Sequence, residues 1–146
     1  ADRIAKAAVK RLGLKRGILL VATPKTRGFF TMSVVLILEV DDGYARGIVI
    51  NGGPGGRTGL GDRTVFHSCV ELASEPSNPV VGGTELFAED FLSKGQAEQV
   101  IARLAARGEP FATTQGCTWW RLEQIVTDIE GGDWATLGWG TAGARW

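Results

Sequence analysis

The chain has 146 residues, which suits one domain, because domains typically hold about 100–150 residues. Its composition is 44% hydrophobic and 22% charged, with 16 basic and 16 acidic residues, which excludes a disordered chain. The 21 glycines are about twice the average usage of roughly 7%, but five prolines and no Gly-X-Y period exclude collagen and indicate many tight turns.

No apolar run is long enough for a membrane span. The longest, Met32 to Val40, is interrupted by Ser33 and Glu39, whereas a spanning helix needs about 20 apolar residues. We therefore expect no membrane span and a cytoplasmic location. The alternative is an exported protein whose leader was removed before Ala1.

The first half of the chain is predicted to hold one helix and a β-hairpin. Helical spacing of apolar residues predicts a helix over 2–12 that ends at Gly13. Three strands follow, the second of them rich enough in Val, Leu and Ile to be covered on both faces. The predicted strands are Ile18–Thr23, Ser33–Val40 and Tyr44–Asn51. Asp41–Gly43 is predicted to be the hairpin turn, in which Gly43 is able to take a positive φ.

The second half opens with six glycines within residues 52–61, which predict a loop. Four further strands are predicted at Thr64–Leu72, Val80–Phe87, Pro110–Gln115 and, as an edge strand, Trp134–Leu137. Two amphipathic helices are predicted at Gln96–Arg107, ending at Gly108, and at about Thr118–Glu130, ending at Gly131. The second helix would place Trp119 on its apolar stripe and leave Trp120 as the candidate for exposure or partner contact. The alternative is that Trp120 packs against a neighbouring strand.

This order of elements predicts an α+β fold: a single domain with a mixed, strongly bent sheet and about three packed helices. Residues 1–16 are predicted to form a basic N-terminal helix, which precedes an α+β domain over 17–146.

The segment from Gly17 to Asn51, GILLVATPKTRGFFTMSVVLILEVDDGYARGIVIN, resembles the opening of the bacterial YqgE/AlgH family. Later blocks agree: Gly53-Pro54 resembles the family's GGP, and the segment from Gly116 to Trp134 resembles its GYAGW and Leu-Glu motifs. The matching motif positions are Pro24, Phe29, Ser33, Gly47, Asn51, Trp119, Leu122, Glu123 and Trp134.

The chain departs from the family pattern at several places. Arg27-Gly28 replaces the family's Asp-Pro, Val40 replaces its His, and Trp120-Arg121 replaces its Gly-Gln. The long segment that normally separates Asn51 from the GGP motif is missing, so the chain is identified as a shortened, divergent member. The resemblance implies a compact α+β domain whose sheet is folded into a partial barrel. It also implies no known cofactor, no established catalytic activity and a transcriptional-regulator label.

The glycine-rich segment is a candidate anion or ligand site, because consecutive backbone N–H groups can form an anion-binding nest. Its candidate residues are Asn51, Gly52, Gly53, Arg57 and Arg63. The segment lacks the Gly-Lys-Ser/Thr of a P-loop and the third glycine of a dinucleotide fingerprint. The alternative is a shortened loop exposed to solvent.

His67 and Cys69 are placed to share one face of a strand, which suggests a metal site or a nucleophilic pair, with Cys117 as a further thiol. Zinc would need more ligands than these three residues supply at recognisable spacing. We expect Cys69 and Cys117 to be buried thiols rather than a disulfide, and we assign no catalytic or metal-binding residue.

Six of the 16 basic residues lie within residues 1–16, against one acid. The candidate contact residues are Arg3, Lys6, Lys10, Lys15 and Arg16. Such a patch could bind nucleic acid, anionic lipid or an acidic partner, although no helix-turn-helix accompanies it.

The sequence favours a regulatory domain that binds a small ligand or a protein partner and is not an enzyme. The alternatives are a nucleic-acid-associated regulator that uses the basic helix and, ranked lower, a small hydrolase that uses His67 and Cys117 or the glycine loop. No cofactor is expected, and the oligomeric state stays open.

Overall fold

The computed structural model describes residues 2–51 and 61–138 and confirms the predicted α+β single domain. Its helices are α1 (Asp2–Leu12), α2 (Lys94–Ala106) and α3 (Leu122–Glu130). Its strands are β1 (Leu19–Ala22), β2 (Val34–Val40), β3 (Tyr44–Val49), β4 (Arg63–His67), β5 (Phe87–Leu92), β6 (Phe111–Gln115), β7 (Thr118–Arg121) and β8 (Trp134–Leu137). The strands form two antiparallel sheets where the sequence predicted one mixed sheet, and neither sheet closes into a barrel.

Within this fold the elements group into two compact units. Unit 1 comprises residues 1–54 and 118–146, and unit 2 comprises residues 55–117. Unit 1 holds an antiparallel sheet in the order β7-β3-β2-β1-β8, and unit 2 holds one in the order β5-β4-β6.

The core of unit 1 lies between its sheet and the two helices α1 and α3. Its largest fully buried members include Leu20, Ile37 and Ile125. Val35, Leu36, Ile37 and Leu38 are all buried, so β2 is covered on both faces, as its run of aliphatic residues predicted.

Helix α1 ends where the sequence placed its end. Gly13 takes a positive φ of +69°, a conformation that glycine adopts at little cost at the end of a helix. Ala5 and Ala8 are buried, and α1 packs against α3, so the basic helix is part of unit 1. A domain boundary after residue 16 stays a prediction.

The hairpin between β2 and β3 is confirmed, with the Asp41 N–H donating to the Tyr44 carbonyl over 2.9 Å. Gly43 does not use the positive φ that glycine can adopt, because the turn closes without a left-handed residue there. Gly47 is required for a different reason. A Cβ at this position would lie 2.6 Å from Val35 Cγ1 and 2.9 Å from the Leu36 carbonyl oxygen.

The end of α3 is capped by the loop that follows β1. Thr23 donates its hydroxyl proton to the Gly132 carbonyl over 2.6 Å, and Lys25 Nζ donates to the Gly131 carbonyl over 3.1 Å. After α3, Gly132 has the left-handed conformation, with φ +85°. Gly131, at which the helix was predicted to end, has a right-handed conformation. A lysine at this end also compensates the negative pole of the helix dipole.

In unit 2, α2 packs its buried residues Ala97 and Leu104 against Val65 of β4. The helix begins at Lys94, two residues earlier than predicted, because Ser93 and Gln96 form a capping box. The predicted strand at Val80–Phe87 is wrong. Val80 N–H bonds to the Leu86 carbonyl over 2.7 Å and closes a loop, and the strand starts only at Phe87.

The predicted helix at Thr118–Glu130 begins four residues late. Residues 118–121 pair with β3 as strand β7, with Ala45 opposite Trp120 and Arg46 opposite Trp119. Pairing of the backbone with a neighbouring strand overrides the helical spacing of the apolar side chains.

None of the helices in the described part of the chain is both long enough and apolar enough to cross a membrane.

Candidate functional site

Asn51, the first residue of the predicted anion site, forms hydrogen bonds with the backbone of unit 1 through both groups of its side-chain amide. Its side-chain oxygen accepts from the Val34 N–H over 2.7 Å, and its nitrogen donates to the Met32 carbonyl over 2.9 Å. Both groups therefore fix the end of the β2–β3 pair. Gly52, Gly53 and Arg57 lie outside the described residues, so their assignment to a ligand stays a prediction.

Arg63, the last member of that predicted site, is the first residue of β4. It stands opposite Leu92 of β5 and Gln115 of β6 and is partly exposed. Because β4 is the central strand of the sheet, the backbone of Arg63 is held by strands on both sides. Its assignment to an anion stays a prediction as well.

The prediction that His67 and Cys69 share one face of a strand is wrong, and the two residues meet through the backbone instead. β4 ends at His67, and the N–H of Cys69 donates to His67 Nδ1 over 3.0 Å. Neither Cys69 nor Cys117 forms a disulfide. Cys69 is buried as expected, whereas the prediction that Cys117 is buried is wrong, since its side chain is exposed.

The other nitrogen of His67 faces a residue that sequence reasoning missed. His67 Nε2 lies 2.8 Å from Glu89 Oε2, and the two side chains are 0% and 7% exposed. Because Nδ1 accepts a backbone N–H, the ring proton belongs on Nε2, which donates to Glu89. The Ser74 N–H also donates to this carboxyl group, over 3.2 Å.

This geometry decides what the pair can do chemically. Both ring nitrogens of His67 are occupied, so the ring has no free lone pair to take a proton from the Cys69 thiol or from a substrate. Among residues 2–51 and 61–138 no group of three or more His, Cys, Asp or Glu is arranged to hold a metal ion. The His67–Glu89 pair therefore acts as a buried structural link between β4 and β5.

The thiol of Cys69 has its own partner. Its Sγ donates to Glu71 Oε2 over 3.5 Å, and Arg107 Nη2 lies 3.9 Å from the same oxygen. The pKa of Glu71 is lowered, first by its own backbone N–H, then by the thiol and by the charge of Arg107.

An exposed aromatic–arginine cluster, formed by Tyr44, Arg46, Trp119 and Glu39, lies on β2, β3 and β7. The rings of Tyr44 and Trp119 are 4.9 Å apart, and the Arg46 guanidinium carbon lies 5.7 Å from the centroid of the Trp119 ring. Arg46 is only 4% exposed, and its Nε donates to Glu39 Oε1 over 3.3 Å. The pKa of Tyr44 is raised, by desolvation first and then by the hydrogen bond and charge of Glu39.

The cluster reverses the expectation for the two tryptophans. Trp119, predicted to face the core, is 50% exposed, whereas Trp120, predicted to be exposed, packs against the core of unit 1. The reason is the strand conformation of β7, in which successive side chains point to opposite faces of the sheet.

The other matching family positions are mainly structural. Leu122 and Trp134 belong to the core, and the Ser33 hydroxyl is buried with no hydrogen-bond partner in the described part of the chain. Glu123 is exposed at the start of α3, where its carbonyl accepts from the Thr127 hydroxyl. For Phe29 the structure describes the backbone, which forms a 3-10 turn over Gly28–Phe30.

The basic residues of the N-terminal segment divide into two groups. Lys6 Nζ lies 3.3 Å from Asp42 Oδ1, Arg11 pairs with Glu130, and Arg16 Nη1 donates to the Leu38 carbonyl over 2.7 Å. The remaining three, Arg3, Lys10 and Lys15, are exposed and have no ion-pair partner within the described ranges.

Comparison with known proteins gives a fold and no activity. The chain matches no protein-family model, and a search of curated proteins found no match. Its structure is similar to the crystal structure of a Corynebacterium diphtheriae protein determined as a structural genomics target, with a TM-score of 0.57 and 17% identity. The similarity covers 85% of this chain and 75% of that chain, and at this identity it shows a shared fold alone.

Proposed function

We propose that the protein is a non-enzymatic regulatory domain of the YqgE/AlgH type, which binds a protein partner through its aromatic–arginine cluster. The observation that carries this proposal is the placement of Trp119, half exposed on a paired strand with its ring close to both Tyr44 and Arg46. The α+β fold agrees with the α+β domain that the family resemblance implies.

The cluster has the composition of a binding hot spot. Trp, Tyr and Arg are the residue types that carry most of the binding energy at protein interfaces. The ring of Trp119 is already fixed by β7 and by its two neighbours, so little side-chain entropy is lost when a partner covers it. Arg46, which Glu39 orients, holds a positive charge directly against the ring.

The hydrogen bonds of His67 support a binding role over hydrolysis. A hydrolase that uses this ring as a base would need one of its nitrogens directed at a nucleophile. Here one nitrogen accepts from Cys69 N–H and the other faces Glu89.

A specific observation also favours the nucleic-acid alternative. Arg3 and Lys10 are seven residues apart, which places them on one side of α1, and both are exposed. Lys15, which follows α1, is exposed as well, and none of the three has an ion-pair partner within the described residues. Exposed basic side chains of this kind could contact phosphates without reading bases.

The first experiment tests the protein-partner proposal. Proteins captured from a bacterial lysate by the wild-type chain are quantified by mass spectrometry and compared with those captured by Trp119→Ala. A hot-spot residue contributes about 2 kcal/mol or more, so specific partners should be depleted about 30-fold with the variant. Met32→Ala, which removes another exposed apolar side chain of unit 1, is the matched control and should retain them. Equal capture by wild type and Trp119→Ala would refute the proposal.

The second experiment addresses the alternative. Retention on immobilised DNA and RNA is measured across a salt gradient for the wild type and for the triple variant Arg3→Glu, Lys10→Glu, Lys15→Glu. Retention that falls with salt and is lost in the triple variant would favour nucleic-acid binding over the protein-partner proposal. Substitution is preferable to deletion of residues 1–16, because deletion would remove Ala5 and Leu14 from the core.

A further inference from the structure

Strand β6 is an edge of the three-stranded sheet in unit 2. Its register against β4 shows which of its residues bond to β4 and which face away from it. The Gly116 N–H donates to the Asp62 carbonyl over 2.8 Å, one step beyond the strand. Hydrogen-bonded and non-hydrogen-bonded pairs alternate in an antiparallel ladder. Thr114 and Ala112 therefore bond to β4, opposite Thr64 and Phe66.

The alternate residues of β6 turn their backbone groups away from β4. These are Phe111, Thr113 and Gln115. Their N–H and C=O groups have no hydrogen-bond partner among the described residues. An edge of this kind presents a template for another strand.

The opposite edge of the same sheet is protected, and β6 is not. β5 is distorted by a register shift opposite β4, where Phe91 has a φ of +56°, and it carries the acidic residue Asp90. Bulges and charges are devices that keep edge strands from pairing. β6 has the sequence Phe-Ala-Thr-Thr-Gln, with no charge, no proline and no register shift.

We propose that β6 pairs with β6 of a second copy of this chain, antiparallel about a twofold axis at Thr113. In this register Thr113 stands opposite Thr113 of the second copy, and Phe111 stands opposite Gln115 of the second copy. Each of the three outward residues then donates one hydrogen bond and accepts one. The two three-stranded sheets become one continuous sheet.

A second copy fits this edge better than an unrelated strand does. The outward residues are spaced evenly on both sides of Thr113, so one register satisfies both copies, as a twofold interface requires. Since the strand has no ionisable side chain, two copies meet without repulsion between like charges. Phe111, which is 43% exposed, gains cover from the aliphatic part of Gln115 of the second copy.

The test measures the mass of the full chain in solution and uses charge on the proposed axis. Light scattering and sedimentation equilibrium over a concentration series should show the wild type shifting from 15.6 kDa to twice that mass. Thr113→Lys places two like charges opposite each other and should leave only monomer, and so should Thr113→Glu. An equimolar mixture of these two variants should restore the dimer mass. Thr113→Val keeps the branched side chain and the backbone donor, so it should dimerise like the wild type.

Three results would overturn the proposal: a wild type that stays monomeric at every concentration, a dimer that persists in Thr113→Lys, or a mixture of Lys and Glu variants that stays monomeric. Circular dichroism of each variant checks that the fold is retained, which is expected because the Thr113 side chain is exposed. If Thr113→Lys unfolds, Thr113→Glu decides alone: a folded Thr113→Glu variant that stays monomeric supports the proposal, and one that dimerises like the wild type overturns it.

Discussion

The indole rings of Trp120 and Trp134 lie 6.1 Å apart, although their strands, β7 and β8, are the two edges of the five-stranded sheet. Strands in a sheet are about 4.8 Å apart, so in a flat sheet these edges would be separated by about 19 Å. Side chains stand roughly perpendicular to the sheet and do not span such a gap. The sheet is therefore strongly bent, as predicted, and Phe30 packs between the edges at 5.5 Å from each tryptophan ring.

We predict that the two adjacent tryptophans differ sharply in their contribution to stability. Trp120→Ala should lower the free energy of unfolding by about 3 kcal/mol, because it empties the aromatic contact that joins the two sheet edges. Trp119→Ala should lower it by about 1 kcal/mol, because half of that side chain is already in water. Urea denaturation of both variants checks this, and a larger loss for Trp119→Ala would contradict the assignment of their faces.

Gly47 offers a prediction with an internal control. Gly47→Ala should cost about 1–3 kcal/mol of unfolding free energy, because the new Cβ would meet Val35 and the Leu36 carbonyl at less than van der Waals distance. Gly43→Ala in the same hairpin has no atom within 4 Å of its new Cβ and no positive φ. Its effect should stay within about 0.5 kcal/mol. Thermal or urea unfolding measures both, and equal losses would refute the steric explanation.

The buried link between His67 and Glu89 should be visible as an energetic coupling. His67→Phe leaves the Glu89 carboxyl group and the Cys69 N–H without their ring partner, at a cost of about 1–3 kcal/mol for each group. Glu89→Leu should be similarly destabilising, whereas the double variant should lose less than the sum of the two.

A double-mutant cycle from urea denaturation measures this coupling. Additive losses would mean that the two side chains do not act as a pair in solution. Thr113→Val provides a control in the same sheet, because it replaces an exposed side chain and should leave stability nearly unchanged.

The lowered pKa of Glu71 predicts that the stability of the fold depends on pH. Its pKa lies below the ordinary value of 4.5 because its own backbone N–H, the Cys69 thiol and Arg107 favour the carboxylate. A lowered pKa in the folded state stabilises folding above the ordinary pKa, and this stabilisation is lost as the pH falls through the folded value.

An NMR titration of Glu71 tests this expectation. Cys69→Ala and Arg107→Ala should each move the pKa of Glu71 back toward 4.5. Arg103→Ala removes a basic side chain from the last turn of α2, the helix that Arg107 follows, and should leave the pKa of Glu71 unchanged. A wild-type pKa at or above 4.5 would contradict the contacts seen at this carboxyl group.

The local features of the fold could be read from the sequence. Gly13 and Gly108 end their helices with positive φ, and Asp41–Gly43 turns the hairpin, because a few neighbouring residues decide these conformations. The apolar residues of Val80–Phe87 predicted a strand, but this segment forms a loop that a backbone hydrogen bond closes between Val80 and Leu86. With that strand misplaced, Glu89 had no predicted partner, and its contact with His67 was missed.

By itself, the sequence determined the α+β class, the ends of most helices and strands, and the covered strand β2. Each of these follows from periodicity or turn chemistry within a short segment. Only the tertiary structure decided which tryptophan is exposed, because the spacing of Trp119 and Trp120 fits the apolar stripe of a helix until β3 pairs with residues 118–121. It also decided that His67 meets Glu89, because that contact joins neighbouring strands from distant parts of the chain. Pairing between strands is a long-range interaction, and local propensity does not determine it.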